Sequence, residues 1–151
     1  MASRTLVGTP FVIAVARKQV VTCFLERQGR ILLLRRSSLV SSYQGRWAGV
    51  SGYVEHTPDA QSLIEIGEEI GLSPNEVTLV SKGPPLVVDD AETGMGWIVH
   101  PYLYRTLADK AIMIDWEHDM LCWIKPQEMV NFDTVPGLHE AFLCVYDPET
   151  S

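Results

Sequence analysis

The sequence is poor in the features that mark membrane-spanning, secreted disulfide-rich and zinc-binding proteins. Its three cysteines, Cys23, Cys122 and Cys144, stand far apart. An odd number of isolated cysteines predicts neither a disulfide framework nor a paired-cysteine zinc site, so we expect small buried apolar side chains. The apolar run FVIAVA at residues 11–16 is far below the roughly 20 residues that span a bilayer, and no signal-peptide cleavage pattern follows it. We therefore expect no membrane partner and a cytoplasmic location.

Positive charge is scarce and unevenly spread. The chain carries 12 Lys and Arg against 19 Asp and Glu, for a net charge of −7. Binding to a nucleic-acid backbone needs a basic surface, so we expect no such partner. Most basic residues lie at or before Arg46, and residues 53–81 contain no Lys or Arg. That window holds the acids Glu55, Asp59, Glu65, Glu68, Glu69 and Glu76. The asymmetry is typical of a cleft that phosphates and a metal share.

The length and the order of the apolar segments predict one α+β domain over residues 1–151. With 46% hydrophobic and 21% charged residues, the chain can bury one core and is too apolar to be disordered. The predicted strands are VVTCFLE, ILLLRR and RWAGVSGYVE before a helical segment, and VTLVSKG, PPLVVDD, GWIVHPYLYRT and MLCWIK after it. KPQEM and VPGLHEAFLCVY are predicted to be helical. Strands, a helix, more strands and a closing helix indicate an α+β layered fold.

The helical segment is predicted to run between Thr57 and Gly71. Thr57 is a favourable N-cap, and Pro58 suits the first helical position because its missing amide is not needed there. Gly71 is a typical helix stop. Apolar residues recur at three- and four-residue spacing and are expected to face the core; they are Leu63, Ile66 and Ile70.

Three glutamates share the polar side of this helix. At 100° per residue, Glu65, Glu68 and Glu69 are expected on the side opposite the apolar residues. Since exposed helix faces are usually charged, a solvated surface is the plain interpretation. Like charges at this spacing cost stability, however, and no neighbouring base offsets them. Carboxylates at positions i, i+3 and i+4 can converge on Mg²⁺ or Mn²⁺, so we predict a divalent metal at this face.

The segments RILLLRR, QGRWAGVSGYVE and IEIGEEIGL together resemble the Nudix hydrolase family. The resemblance runs from about Val20 to the C-terminal segments WEHDMLCWIKPQEM and TVPGLHEAF. It implies the Nudix fold, a mixed β-sheet sandwiched between helices as an α/β/α sandwich. It also implies a metal-dependent pyrophosphohydrolase with a nucleoside-diphosphate-type small molecule as its partner. The expected reaction cleaves the diphosphate of a nucleoside diphosphate linked to another group, with an ADP-ribose-like substrate favoured.

The resemblance also assigns roles to site residues. Glu65 and Glu69 are implied to be the main metal ligands, with Glu68 close behind and the backbone carbonyl of Gly52 as an additional ligand. Glu55 is implied to bind a second metal or a metal-bound water. Glu69 or Glu68 would orient or deprotonate the attacking water.

The sequence departs from the family pattern at the loop and at the start of the helix motif. Ser51 stands where a glycine is usual, and two residues are missing between His56 and Thr57, so the usual Gly-Glu of the loop is absent. Ile64 occupies the position of an arginine that helps to orient the catalytic carboxylates in the family. A nucleotide-binding or regulatory module with weak or no turnover is therefore a second interpretation. A third is a homodimeric domain whose acidic helix is only a solvated surface.

Other polar and aromatic residues are weaker candidates. Arg35, Arg36 and Arg46 are candidates for binding the substrate phosphates, because a guanidinium group binds phosphate in a fork. The alternative is that they are ordinary surface arginines. Trp97 and Trp116 either stack a nucleobase or pack in the core. The polar residues 117–119 and 89–92 are either catalytic or turn residues.

Overall fold

The first two strands form the hairpin that the sequence predicts, and the rest of the sheet is built around them. The computed structural model describes residues 16–148. Strands β1 (Lys18–Arg27) and β2 (Arg30–Arg36) are antiparallel. Gln28 and Gly29 connect them with φ values of 53° and 79°, as two-residue hairpin turns require. Apart from Ala16, the apolar run at residues 11–16 lies outside the described residues.

Eight strands of the described chain form one mixed sheet. The other strands are β3 (Trp47–Ala48), β4 (Val50–Tyr53), β5 (Val77–Lys82), β6 (Leu86–Asp90), β7 (Met95–Thr106) and β8 (His118–Ile124). Strand β1 pairs in parallel with β7 and antiparallel with both β2 and β4. Strand β7 also pairs with β5 and β6, and β2 also pairs with β3 and β8. The predicted strand segments all lie in this sheet.

Helices cover both faces of the sheet. They are α1 (Pro58–Ile70) and α2 (Leu138–Leu143), with short 3₁₀ turns at Pro74–Glu76 and Pro126–Asn131. Because strand side chains alternate between faces, Leu33 joins a cluster with Phe142 of α2, while Leu32 joins a second cluster with Ile66 of α1. This arrangement confirms the predicted sandwich. Within residues 16–148, neither helix is long and apolar enough to cross a membrane.

Helix α2 is shorter than its sequence pattern predicts. The whole segment VPGLHEAFLCVY was expected to be helical, but the helix spans only Leu138–Leu143. Gly137 precedes it with φ of 78°, a left-handed conformation that cannot belong to an α-helix. The predicted apolar stripe is nevertheless buried, at Leu138, Phe142 and Val145.

The cysteines do not share one environment. Cys23 is buried in β1 as predicted, whereas Cys122 is half-buried and Cys144 is exposed. The expectation of small buried side chains was therefore wrong for Cys144, which follows the short helix α2 on its solvent side.

A β-bulge interrupts the pairing of β2 with β8. Arg35 lies opposite Met120, but Arg36 lies opposite His118, so Asp119 is the extra residue. A bulge re-aims the side chains around it. Here His118 is buried while Asp119 and Met120 are both exposed, and His118 lies beside Glu69 of helix α1.

Candidate active site

Helix α1 begins and ends where the sequence predicts. The Ala60 amide donates to Thr57 Oγ1 over 3.2 Å, which caps the first turn, and Pro58 is the first helical residue. Gly71 ends the helix with φ of 76°, and its amide donates to the carbonyl of Gly67 over 3.2 Å. These caps fix the register in which the helix presents its glutamates.

The three glutamates of α1 do not lie together on the solvent side, so that prediction was wrong. Glu69 is only 3% exposed and lies beside the buried Ile66 and Ile70, whereas Glu65 is half-buried and Glu68 is exposed. At 100° per residue, Glu69 is only 60° from Ile66 around the helix axis. The acidic side therefore overlaps the edge of the apolar stripe and turns two carboxylates toward the sheet.

Glu65 lies directly against the backbone of β4. A Cβ atom added to Gly52 would overlap the Glu65 carboxylate, so only glycine fits this position without displacing it. Gln61 Nε2 donates to Glu65 Oε2 over 2.7 Å, and Gln61 Oε1 accepts from the Glu55 amide over 3.1 Å. Gln61, which the sequence did not single out, thus links the loop to the helix carboxylate.

Glu69 lies between the start of β4 and the start of β8. Its Oε1 atom accepts one long hydrogen bond, 3.4 Å from the Ser51 amide. His118 Nε2 lies 4.0 Å from the same oxygen. Among the described residues, no Lys or Arg forms an ion pair with Glu69, so its buried carboxylate has little compensation.

Glu117 and His118 join Glu69 in one cluster. One ligand atom from each of the three side chains lies within 4.8 Å of the other two. The Glu117 amide donates to Asp115 Oδ1 over 3.2 Å, which orders the turn before β8. The sequence left residues 117–119 as either catalytic or turn residues, since their composition suits a turn. No local signal reveals the bulge beside the buried His118.

The acids of this site oppose one another's ionisation. Burial raises the pKa of Glu69 well above its usual range, and the charges of Glu117, Glu65 and Asp115 raise it further. Burial also raises the pKa of Glu65, although the hydrogen bond from Gln61 opposes this. For Glu117, burial and then the Asp115 charge raise the pKa. A cation would relieve this repulsion.

The carboxylates line a cleft of about 650 Å³. The acidic residues that line it are Glu55, Glu65, Glu68, Glu69 and Glu117. The aromatic residues that line it are Tyr43, Tyr53, Trp97 and Trp116. Arg36 is the one Lys or Arg among the described residues that line it. The cleft thus combines acidic, cationic and aromatic groups, as a site for a charged ligand with a flat ring requires.

The three candidate phosphate-binding arginines are placed differently. Arg36 lines the cleft, and its Nε donates to the Ser42 carbonyl over 2.9 Å. Arg35 donates to Asp119 over 2.8 Å, and Arg46 donates to the Thr134 carbonyl over 2.6 Å; neither lines the cleft. The structure therefore brings only Arg36 to the acidic helix.

The remaining candidates lie at the rim of the cleft or away from it. Trp116 is 60% exposed and Trp97 is half-buried, and both residues line the cleft. Asp90 accepts a 2.6 Å hydrogen bond from the Tyr43 hydroxyl, which ties the β6–β7 turn to the loop before β3. Asp89 pairs with Arg17 at 2.7 Å and does not line the cleft.

The donors of this site fit a hard divalent cation. Glu65, Glu69 and Glu117 supply carboxylate oxygens, and the Gly52 backbone lies against the first of them. Mg²⁺ and Mn²⁺ prefer such oxygen ligands. The weakly compensated, buried carboxylate of Glu69 is the position that most needs a cation.

A protein-family model described as "NUDIX domain" matches residues 16–144 of the chain. The match confirms the resemblance predicted from the sequence. No curated protein matches the sequence.

Solved structures support the same fold. An Ap4A hydrolase from C. elegans superposes with a TM-score of 0.69 at 14% identity, over 83% of this chain and 93% of that one. The MutT protein of Methanosarcina mazei Go1 superposes with a TM-score of 0.66 at 18% identity, over 84% of this chain and 91% of that one. The NUDIX domain of Shewanella oneidensis NrtR, complexed with ADP ribose, superposes with a TM-score of 0.61 at 15% identity, over 83% of this chain and 86% of that one. At these identities the similarity shows the fold alone.

Proposed function

Because the chain belongs to the Nudix family, we propose that it uses Mg²⁺ or Mn²⁺ to hydrolyse the diphosphate of a nucleoside diphosphate linked to another group. Family membership supports the prediction of a pyrophosphohydrolase. The observation that carries the proposal is the convergence of Glu65, Glu69 and Glu117 on one cleft whose only lining Lys or Arg, among the described residues, is Arg36.

The cation would be held by Glu65 and Glu69, with Glu117 and the Gly52 carbonyl as further oxygen ligands. When bound, a divalent cation neutralises phosphate oxygens and lowers the pKa of the attacking water. Gln61 holds the Glu65 carboxylate in position through its 2.7 Å hydrogen bond.

The exposed carboxylates of the cleft are suited to proton transfer. Glu68 and Glu55 are both exposed and line the cleft, so either can accept a proton from water. We assign Glu68 as the general base, because it shares α1 with the proposed cation ligands. Arg36 is positioned to bind a phosphate through its guanidinium, with its Nε fixed on the Ser42 carbonyl.

The substrate is proposed to be ADP-ribose-like. Trp97 and Trp116 line the cleft with the carboxylates, which supports a substrate that has a base to stack as well as phosphates. ADP ribose is bound to one structural neighbour, and another neighbour is an Ap4A hydrolase, so both compounds belong in the first assay panel.

The test is a hydrolysis assay with Mg²⁺ and with Mn²⁺ over a panel of nucleoside diphosphate derivatives, run beside calorimetric binding. We expect metal-dependent release of a nucleoside monophosphate. Either cation should also raise the melting temperature, since a ligand of the folded state stabilises it. The double variant Glu65→Gln with Glu69→Gln should lose this rise, whereas Glu140→Gln on the exposed side of α2 should keep it. An unchanged rise in the double variant would place the cation elsewhere.

A nucleotide-binding module with weak turnover is the second candidate. It is favoured by Ile64, which is 43% exposed and cannot replace the charge of the family arginine. The loop is also short, so it contributes no second glutamate. Tight binding of ADP-ribose with no turnover under either cation would select this candidate.

The wider setting of the chain is proposed on the same basis. We propose that residues 1–151 form one Nudix domain, that the protein acts in the cytoplasm, and that a homodimer is one of its assembly states. Size-exclusion chromatography with light scattering tests the last of these.

A further inference from the structure

The cluster of Glu69, Glu117 and His118 contains a buried imidazole whose Nδ1 accepts or donates no hydrogen bond among the described residues. His118 is 5% exposed, and its Nδ1 atom is fully buried without a hydrogen-bond partner among the described residues. Buried polar groups without a partner are rare in native structures, so this one needs a structural explanation. The imidazole lies between Asp115 and Glu69, and it is Nε2 that faces the carboxylate of the cluster.

The two ring nitrogens of His118 face carboxylates on opposite sides. Nε2 lies 4.0 Å from Glu69 Oε1, and Nδ1 lies 3.6 Å from Asp115 Oδ1. Both distances are too long for a hydrogen bond. A histidine that binds a metal through one nitrogen typically donates its other N–H to a carboxylate. The order Asp115, His118, Glu69 matches this arrangement, with Nε2 on the side of Glu69.

The spacing of the cluster suits one cation. Atoms that share a cation at about 2.1 Å lie roughly 3 to 4.2 Å apart. The 4.0 Å between Nε2 of His118 and the Glu69 oxygen falls in this range. The three ligand atoms of Glu69, Glu117 and His118 all lie within 4.8 Å of one another, so small inward movements would complete the contacts.

We propose that His118 is a nitrogen ligand of the divalent cation in this cleft, positioned by Asp115, and that the site therefore prefers Mn²⁺ and similar transition-metal ions to Mg²⁺. The preference follows because Mn²⁺, although it also favours oxygen ligands, accepts an imidazole nitrogen much more readily than Mg²⁺ does. This proposal rests on the proposed cation site and specifies its donor set.

The direct test is pulsed EPR of the full chain loaded with Mn²⁺. A coordinated imidazole produces nuclear modulation from its nitrogen, whereas an all-oxygen site produces none. We expect nitrogen modulation in the wild type and its loss in His118→Gln. The chain has four histidines, so a variant with His56→Gln, His100→Gln and His139→Gln keeps His118 alone. Retained modulation in that variant assigns the signal to His118 even where His118→Gln fails to fold.

Affinities provide the second measurement. His118→Gln should weaken Mn²⁺ binding at least about tenfold and Mg²⁺ binding less than about threefold, because the lost donor is a nitrogen. Asp115→Asn, which keeps the imidazole but removes its carboxylate partner, should weaken Mn²⁺ binding about tenfold. Equal losses for the two cations in His118→Gln would overturn the proposed preference.

The outcomes separate this proposal from the proposed function. Bound Mn²⁺ without nitrogen modulation in the wild type would overturn the His118 assignment and leave the carboxylate site intact. Modulation that survives in a folded His118→Gln variant would assign the nitrogen to another residue. Wild-type protein that binds no Mn²⁺ would overturn the cation site together with the His118 assignment.

Discussion

Helices α1 and α2 cover the sheet in different ways. The buried residues of α2 are Leu138, Ala141 and Phe142, all apolar. The buried residues of α1 are Gln61, Ser62, Ile66, Glu69 and Ile70, of which three are polar. Burying a polar or charged group costs free energy unless a partner satisfies it. Helix α2 therefore contributes stability, whereas α1 gives up some stability to hold carboxylates in the cleft.

The aromatic packing under α2 should give the largest effect on stability. Phe142 is 1% exposed, and its ring lies edge-on to Phe24 with centroids 5.1 Å apart. We expect Phe142→Ala to lower the free energy of unfolding by about 3–5 kcal/mol, measured by chemical denaturation. The specific activity of the folded fraction should stay unchanged. Leu143→Ala, at an exposed neighbouring position, is the control and should cost little. Similar costs for both variants would mean that α2 does not pack as described.

Substitution of Glu69 in α1 should instead reduce activity and leave the fold intact. Glu69→Gln should lower the hydrolysis rate at least about a hundredfold, because the variant loses a cation ligand with no change in shape. Its folded structure should persist by circular dichroism. Glu140→Gln in α2 is the matched control and should keep full activity. A folded Glu69→Gln variant with wild-type kcat would remove Glu69 from the site.

Gly52 tests how closely α1 must approach β4. A Cβ at this position would overlap the Glu65 carboxylate, so Gly52→Ala should displace that group. Since a misplacement near 1 Å can cost up to about a hundredfold, we expect kcat to fall about tenfold and cation binding to weaken. The control is Ser51→Ala on the same strand, which keeps the backbone amide that donates a hydrogen bond to Glu69. If both variants behave alike, the close contact is unimportant.

The pH dependence of folding stability in the metal-free protein should reveal the free-energy cost of ionising the buried Glu69 of α1. The pKa of Glu69 is raised in the folded state above the unfolded value of about 4.3. The folded state therefore holds this proton more tightly, and stability falls as the pH rises from the unfolded pKa toward the folded one. Glu69→Gln removes the titration, so the variant should melt higher than wild type at neutral pH.

The size of this difference should itself depend on pH. Each kcal/mol relieved corresponds to about 2–4 °C in Tm. The difference in Tm between Glu69→Gln and wild type is followed by calorimetry with a chelator present. It should shrink as the pH falls toward the unfolded pKa of about 4.3. A difference in Tm that stays constant with pH would show that ionisation of Glu69 does not destabilise the folded protein.

Ile64 should give the smallest change. An arginine at this exposed position lies one turn before Glu68 and can pair with it, a contact worth about 0.2–0.5 kcal/mol. We expect Ile64→Arg to raise kcat about twofold with little change in substrate affinity. Ile64→Met, which adds no charge, should leave kcat unchanged. A flat or lower kcat in a folded, metal-binding Ile64→Arg variant would show that this arginine is not what the site lacks.

Local signals in the sequence were sufficient for the elements and their order. The bounds of α1 follow from Thr57, Pro58 and Gly71, because capping and left-handed backbone preferences act within one turn. The hairpin turn at residues 28–29 is a local property of the same kind. The family motif marks the cleft strand and the acidic helix, so the amino-acid sequence by itself makes Gly52, Glu65 and Glu69 candidates for the site.

Only the tertiary structure decided which side chains share the cleft. It buried Glu69 at the edge of the apolar stripe and left Glu68 exposed, because Ser51 of β4 and His118 of β8 lie against Glu69. It also selected Arg36, since Arg35 is occupied by Asp119. The sequence alone determined the order of the strands and helices, the bounds of α1 and the kind of chemistry that α1 carries. The meeting of His118 with Glu69 depends on pairing β2 with β8 and on one bulge, long-range contacts that no local pattern encodes.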